Sequence, residues 1–299
     1  MIMSEQSHSY RIADFHVRVL FKESPVNGFH LISSMRPFMS EEETAEPLLF
    51  QLTVDDEIPV IGKEQREGVG RFDSGNGMTV VHRLRDGGYQ YIIKDIYQRE
   101  CCLLQTNKTF SDCRCALNGN EDMRSFGLTN AIMIIFSFAG SFFQTLLIHA
   151  STVIHNGYGY AFTAKSGTGK STHTGLWIKH IPGTELMNDD NPIIRVIDHQ
   201  TFIYGSPWSG KTPCYRQVKA PLGAVTRIDR AHRNNIEKLE PIDAFASLLP
   251  SCSNMKWDKE IFHHICDTVT SVIETTDCYI LHCLPDQEAA EICHKEISK

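Results

Sequence analysis

The stretch Ala164-Lys165-Ser166-Gly167-Thr168-Gly169-Lys170-Ser171 has the spelling of a phosphate-binding P-loop, with Ala in the first position, where Gly is the other common choice. Gly167 and Gly169 let the backbone curl until successive N–H groups face one concavity, an anion nest. Lys170 is placed to reach the β- and γ-phosphates of a nucleotide, and the Ser171 hydroxyl to ligate Mg²⁺. Ser166, Gly167, Thr168, Gly169, Lys170, Ser171 and Thr172 are therefore the candidate nucleotide-binding residues. A strand should precede such a loop and a helix should follow. Gly159–Thr163 is charge-free, partly aromatic and reads as the strand, while Thr172–His180 reads as a helix whose positive N-terminal end faces the phosphates. The bland alternative, a Gly/Ser/Thr-rich turn with a chance lysine, explains neither flank.

Upstream of the loop the chain is apolar. Ser125 to Ala164 contains no Asp, Glu, Lys or Arg. Leu128–Ile148 is long enough to span a bilayer, but Thr129, Asn130, Ser137, Gly140, Ser141, Gln144 and Thr145 interrupt it. A buried helix over Thr129–Phe143 followed by a buried strand over Leu146–Ile154 is the better reading. His155-Asn156-Gly157-Tyr158 is a hairpin turn, since Asn-Gly suits the two positive-φ positions of a type I′ turn. The P-loop strand thus follows an antiparallel partner, an unusual local order among P-loop folds.

Downstream, Pro182-Gly183 breaks the chain and a short strand, Glu185–Met187, runs into Asn188-Asp189-Asp190. Two carboxylates at a strand end soon after a P-loop helix suit Mg²⁺–nucleotide chemistry, one holding the metal and the other accepting a proton from an attacking hydroxyl. An Asp-Asp turn is the plain alternative. Ile193–Val196 and Thr201–Tyr204 form a second hairpin. Gly205-Ser206-Pro207-Trp208-Ser209-Gly210-Lys211 then reads as an ordered loop, from which Lys211 or Arg216 can bring a second cation to the phosphates. Trp208 either covers a ligand or anchors the loop. Leu222–Ile228 and Tyr279–Leu284 are further strands, and Pro241–Leu249, Asp258–Thr275 and Asp286–Ile297 are helices. Ile261, Ile265, Val269 and Val272 form a core stripe on the second of these.

The first 125 residues hold no catalytic motif. They alternate short β-like runs, such as Thr79–Leu84 and Tyr89–Ile93, with turn signals at Ser74-Gly75-Asn76-Gly77 and Asp86-Gly87-Gly88, and so predict a β-rich meander. Ser33–Pro47, with Glu41, Glu42 and Glu43, reads as a loop or solvated helix. The chain has 299 residues, 41% of them apolar and 22% charged, and a net charge of −7, which fits a globular protein and argues against nucleic acid or an anionic membrane as the main partner. Met1–Val19 has no apolar signal-like core, so a cytoplasmic location is expected, with the ten cysteines mostly free and buried.

Four motifs in this order resemble the catalytic domain of HPr kinase/phosphorylase: His149-Ala150-Ser151, Ser166–Thr172, Asn188-Asp189-Asp190 and Gly205-Ser206-Pro207-Trp208. That domain shares its core with phosphoenolpyruvate carboxykinase. The signatures are closer to the HPr-kinase-related proteins that phosphorylate free serine or ribosomal peptides. The resemblance covers about residues 145–285 and implies an α/β (α+β) P-loop domain over 126–299, with a mixed sheet and flanking helices, after a smaller β-rich domain over 1–125. It implies an ATP- and Mg²⁺-dependent kinase that phosphorylates a hydroxyl, serine as a free amino acid, peptide or protein side chain. Lys170 and Ser171 would bind phosphate and Mg²⁺, and Asp189 and Asp190 would supply the base and a metal ligand, Asp190 being assigned with Ser171 to the metal. His149 would lie near the transferred phosphate. The second HPr-kinase signature, close to E-x-R-G-L-G, is absent, and the Gly205–Lys211 loop stands in that part of the chain, which argues against HPr as substrate and against phosphorylase activity. The rival expectations are a non-catalytic nucleotide sensor and a protein anchored through Leu128–Ile148. Expected partners are the nucleotide and the hydroxyl acceptor, with room for a homo-oligomer.

Overall fold

The computed structural model describes residues 5–40, 47–73, 76–210 and 212–299. Glu41, Glu42, Glu43, Ser74, Gly75 and Lys211, which carried sequence expectations, lie outside the described residues. Contacts divide the chain into two units between Gly140 and Ser141.

The first unit is built on one eight-stranded mixed sheet. Its strands are β1 (Gln6–Ile12), β2 (Phe15–Phe21), β3 (Phe50–Asp55), β4 (Arg66–Asp73), β5 (Gly77–Leu84), β6 (Tyr89–Asp95), β7 (Glu100–Thr106) and β8 (Asp112–Leu117). The spatial order is β1-β2-β3-β8-β7-β6-β5-β4. β4 to β8 form the expected antiparallel meander, whereas β3 runs parallel to both β2 and β8. Phe29–Phe38 is a 3₁₀ segment that buries Leu31, Ile32, Met35 and Phe38, so the part of Ser33–Pro47 expected to be solvated contributes to the core.

Helix α1 (Glu121–Ser141) belongs to this unit, which moves the boundary from the expected 125/126 to 140/141. The reason is packing on both flanks. Phe136 meets Phe15 and Phe138 meets Phe110, with ring centroids 6.2 and 5.4 Å apart, and Arg124 reaches Asn27 Oδ1 at 2.9 Å. The helix also begins eight residues before the expected Thr129, because the Asn120 side chain accepts the Met123 N–H at 3.1 Å and Glu121 and Asp122 fill a first turn that favours negative charge. It is long and apolar enough to cross a membrane, and 56% of its most apolar stretch is buried inside the protein.

The second unit holds a nine-stranded mixed sheet. Its strands are β9 (Thr145–Leu147), β10 (Ala150–His155), β11 (Tyr158–Thr163), β12 (Glu185–Asp190), β13 (Ile193–Ile197), β14 (Gln200–Tyr204), β15 (Lys219–Arg230), β16 (Asn235–Lys238) and β17 (Asp277–Cys283). Its helices are α2 (Lys170–His180), α3 (Pro241–Leu248), α4 (Lys259–Thr275) and α5 (Gln287–Ile297). The expected hairpin is β10–β11, with Asn156 and Gly157 at φ 48° and 80° in its turn. β10 lies antiparallel to β11 on one side and to β12 on the other, while β11 is parallel to β15.

The single strand expected over Leu146–Ile154 is two. β9 pairs with β13, β10 with β11 and β12, and the chain changes partner at Ile148 and His149. There Ile148 N–H bonds to Pro192 O at 3.2 Å and His149 N–H to Ser251 O at 2.7 Å. The expected stripe of α4 is buried at Ile261, Ile265, Val269 and Val272, and Asp258 caps the helix by accepting two of its first amides. All ten cysteines are unbridged and nine are buried.

Under the P-loop strand, α2 lays Trp177 against Tyr160 and Phe162, with both centroid separations 5.4 Å. His173, one turn before it, is 3% exposed, packs edge-on to Phe162 and accepts the Trp177 indole N–H at 3.1 Å. Burial disfavours its charged form and lowers its pKa to about 4 from 6.5. Below pH 6.5 the unfolded chain takes up this proton while the native protein refuses it until about pH 4. Stability attributable to His173 is thus full above 6.5, falls as pH drops from 6.5 to 4 and is constant below. The loss should be on the order of 3 kcal/mol. Urea unfolding of the parent and of His173→Gln, which keeps an acceptor for Trp177 without titrating, should show a shallower loss across this window in the variant. Equal slopes would disprove the assignment.

Candidate active site

Three strand ends meet at one level. Ala150 at the start of β10 stands opposite Thr163, the last residue before the P-loop, and opposite Asp190, the last residue of β12. This register brings the P-loop, His149 and the aspartate pair together. Lys170 Nζ lies 2.7 Å from His149 Nε2, and His149 Nδ1 lies 3.0 Å from Asp190 Oδ1. An ammonium can only donate, so the pair of contacts assigns the proton of neutral His149 to Nδ1, donating to the carboxylate. The second Asp190 oxygen accepts from Asn191 Nδ2 at 2.7 Å.

Asp189 looks elsewhere. Its Oδ1 accepts the Ser171 hydroxyl at 2.7 Å, and the side chain is buried where Asp190 is partly open. Successive side chains on a strand face opposite ways, so neighbouring carboxylates serve different partners. The carboxylate beside Ser171 is thus Asp189, and Asp190 stands with His149, which in turn contacts Lys170.

Lys170 is half-buried, and burial lowers its pKa while Asp190 and then Asp189 pull it back up. Thr168 N–H closes a turn onto Lys165 O at 3.1 Å, Gly167 and Gly169 have φ of 76° and 128°, and Ser166 and Thr172 are exposed at the two ends. Ser151, beside His149, shares a 3.0 Å hydrogen bond with Thr174 and ties α2 to β10.

The hydroxyl of Ser171 and the carboxylate of Asp189 form a hard oxygen pair that fits Mg²⁺, an ion held by one or two carboxylates together with phosphate oxygens. Among the described residues, no group of three or more His, Cys, Asp or Glu could hold a metal by itself.

The Gly205–Gly210 loop is built into this end of the sheet. Asn188, fully buried on β12, donates to Ser206 Oγ at 3.2 Å and Trp208 O at 3.0 Å. Ser209 Oγ and Gly210 N–H both donate to Asp189 O. A Cβ on Gly210 would lie 3.0 Å from that carbonyl oxygen and 3.2 Å from Asp190 Cβ, tight contacts that a larger residue would relieve only by moving the loop or the strand end by a few tenths of an ångström. Trp208 is 4% exposed and is a packing anchor. Arg216 is not at the phosphate end: it donates to Leu186 O at 2.5 Å and pairs with Glu185 at 2.9 Å, near the beginning of β12.

Sequence reading missed Asn188 and Asn191, whose partners are fixed only by the fold, and Arg230 at the end of β15. Arg230 donates through Nε to Thr168 O at 2.9 Å and through Nη2 to Gly167 O at 2.5 Å. The only sequence signal was Arg227 and Arg230 at the end of a largely apolar strand, with nothing to distinguish the second from the first.

No protein-family model matches the sequence, and no curated protein matches it. Among solved structures, the chain is similar to the HPr(Ser) kinase/phosphatase from Coxiella burnetii, at 10% identity and a TM-score of 0.30, over 50% of this chain and 91% of that one.

Asp190 has φ of 141°, a region natural to glycine and costly for other residues by about 1–3 kcal/mol. Gly at this position should relieve strain that Ala retains, so Asp190→Gly should be more stable than Asp190→Ala by about 1 kcal/mol despite the greater freedom of unfolded glycine. Chemical denaturation of the two variants measures this, and an Ala variant as stable as the Gly variant would show that the backbone is unstrained.

Proposed function

We propose that this protein is an ATP- and Mg²⁺-dependent kinase that phosphorylates a hydroxyl, that of serine as a free amino acid, a peptide or a protein side chain. The observation that carries the reading is the convergence of Lys170, His149 and Asp190 in one hydrogen-bonded chain, beside the Ser171–Asp189 pair. A loop that only bound nucleotide would need the lysine and the serine. It would not need a carboxylate–imidazole pair at the same mouth.

The residues divide the work. The P-loop amides and Lys170 bind and orient the phosphates. Ser171 and Asp189 would hold Mg²⁺, and the chemistry supplied by the bound ion is neutralisation of charge on the phosphate oxygens. Lys170 must leave His149 to reach a phosphate, and this frees His149 Nε2 as an acceptor. His149 is then an imidazole whose Nδ1–H is held by a carboxylate, the arrangement that orients a general base. The proton of the acceptor hydroxyl passes to this His149–Asp190 pair as the hydroxyl oxygen attacks phosphorus and the bond to the leaving nucleotide oxygen breaks. The missing E-x-R-G-L-G signature favours an acceptor other than HPr.

The two aspartates should separate in kinetics. Asp190→Asn removes the proton-accepting pair and should lower kcat by about 10²- to 10⁴-fold with little change in nucleotide affinity. Asp189→Asn should raise the Mg²⁺ concentration needed for half-maximal rate, which Asp190→Asn should not. Nucleotide turnover against a panel of serine-containing acceptors reads both. Parent-like rates in both variants would exclude the mechanism, and nucleotide binding without turnover on every acceptor would favour a sensor.

A further inference from the structure

Arg230 ends β15, and that strand end is firmly placed. Three residues earlier Arg227 stands opposite Thr163 of β11, Arg230 itself stands opposite Cys283 of β17, and Ala231 N–H bonds to Cys283 O at 3.1 Å. From there the guanidinium donates to two successive P-loop carbonyls, those of Gly167 and Thr168. Its planar fork suits such a two-point grip, which a lysine ammonium cannot reproduce.

The direction of these carbonyls has a consequence for the amides. In a trans peptide the C=O and the following N–H point opposite ways. Drawing the carbonyls of Gly167 and Thr168 toward Arg230 therefore turns the N–H groups of Thr168 and Gly169 to the other side. The Thr168 N–H completes the internal turn onto Lys165 O, and the Gly169 N–H is left directed away from the guanidinium. Little else holds this part of the loop: Lys165, Ser166 and Gly167 are exposed, and a Cβ at Gly167 would meet no atom within 4 Å. Two glycines with positive φ give the loop freedom that packing does not remove.

Resting on the nucleotide reading above, we propose that Arg230 is a positioning residue that fixes the peptide planes of the P-loop so that the internal Thr168 turn is held and the Gly169 N–H faces the phosphates, without touching the phosphates itself. Arg230 grips the loop before nucleotide arrives, so the binding step does not have to order it. The same contact serves ground and transition states alike, so its loss should weaken nucleotide binding and leave the chemical step nearly intact.

The test uses the full chain with Mg²⁺ and a fluorescent ADP analogue. Arg230→Met keeps the aliphatic stem and should weaken binding about 5- to 30-fold, the range expected for charge-assisted hydrogen bonds at a partly open site. Arg230→Lys, which keeps the charge but not the fork, should fall between the two. In the nucleotide-free protein, amide hydrogen exchange over residues 166–170 should quicken in Arg230→Met while the melting temperature stays at the parent value. Unchanged affinity in Arg230→Met, or a fall in kcat at unchanged affinity, overturns the positioning role. A parent protein that binds no Mg²⁺–nucleotide sinks the site reading together with this inference, whereas a binding parent with an indifferent Arg230→Met sinks this inference alone.

Discussion

The second unit depends on one strand pairing two ways. β10 is antiparallel to both of its neighbours, and Ala150 is the residue at which both registers end, opposite Thr163 on one side and Asp190 on the other. A one-residue slip on either side would turn the affected strand's side chains to the opposite face. It would carry the P-loop away from His149, or exchange the places of the two aspartates. The buried side chains of Val153, Tyr160 and Phe162 oppose such a slip within the β10–β11 hairpin, because it would take them out of the packed cluster they share with Trp177. The hydrophobic pattern of the β10–β11 hairpin thus fixes distances between polar groups that it never touches.

The polar groups are arranged to limit the cost of bringing charges together. Asp189 and Asp190 are adjacent in sequence, yet strand alternation gives each a separate partner, Ser171 for the first and His149 for the second. The neutral imidazole stands between the ammonium of Lys170 and the carboxylate of Asp190, so opposite charges interact through a polarisable bridge. Burial lowers the lysine pKa and the two aspartates act against it, so the pair of carboxylates helps keep the Lys170 ammonium charged.

Much of this was legible because it is local. The P-loop spelling, the Asn156-Gly157 turn, the Pro182-Gly183 break and the α4 stripe each state their structure within a few residues, and the structure follows them. What was not legible depends on residues far apart in the chain. The break in the Leu146–Ile154 strand is made by hydrogen bonds to Pro192 and Ser251. The division between Asp189 and Asp190 is set by the pleat phase of β12 at its end, which two identical side chains cannot reveal. Arg230 meets Gly167 across 63 positions of sequence, so no spacing rule could join them. The early start of α1 is different in kind: Asn120, Glu121 and Asp122 are a local capping signal, set apart from the charge-free run that begins at Ser125 and forms most of the helix.

The loop that carries Ser206, Trp208 and Gly210 is hydrogen-bonded to the backbone and side chains of the strand that ends in the aspartate pair. In many enzymes the segments that choose a substrate can be exchanged while the catalytic frame stays put. Here the loop and the end of β12 are mechanically one piece, since the carbonyl of Asp189 is anchored by the loop and the buried amide of Asn188 anchors the loop in return. A change of loop length would therefore alter the aim of the two carboxylates, whereas side-chain replacement at fixed backbone would leave it in place.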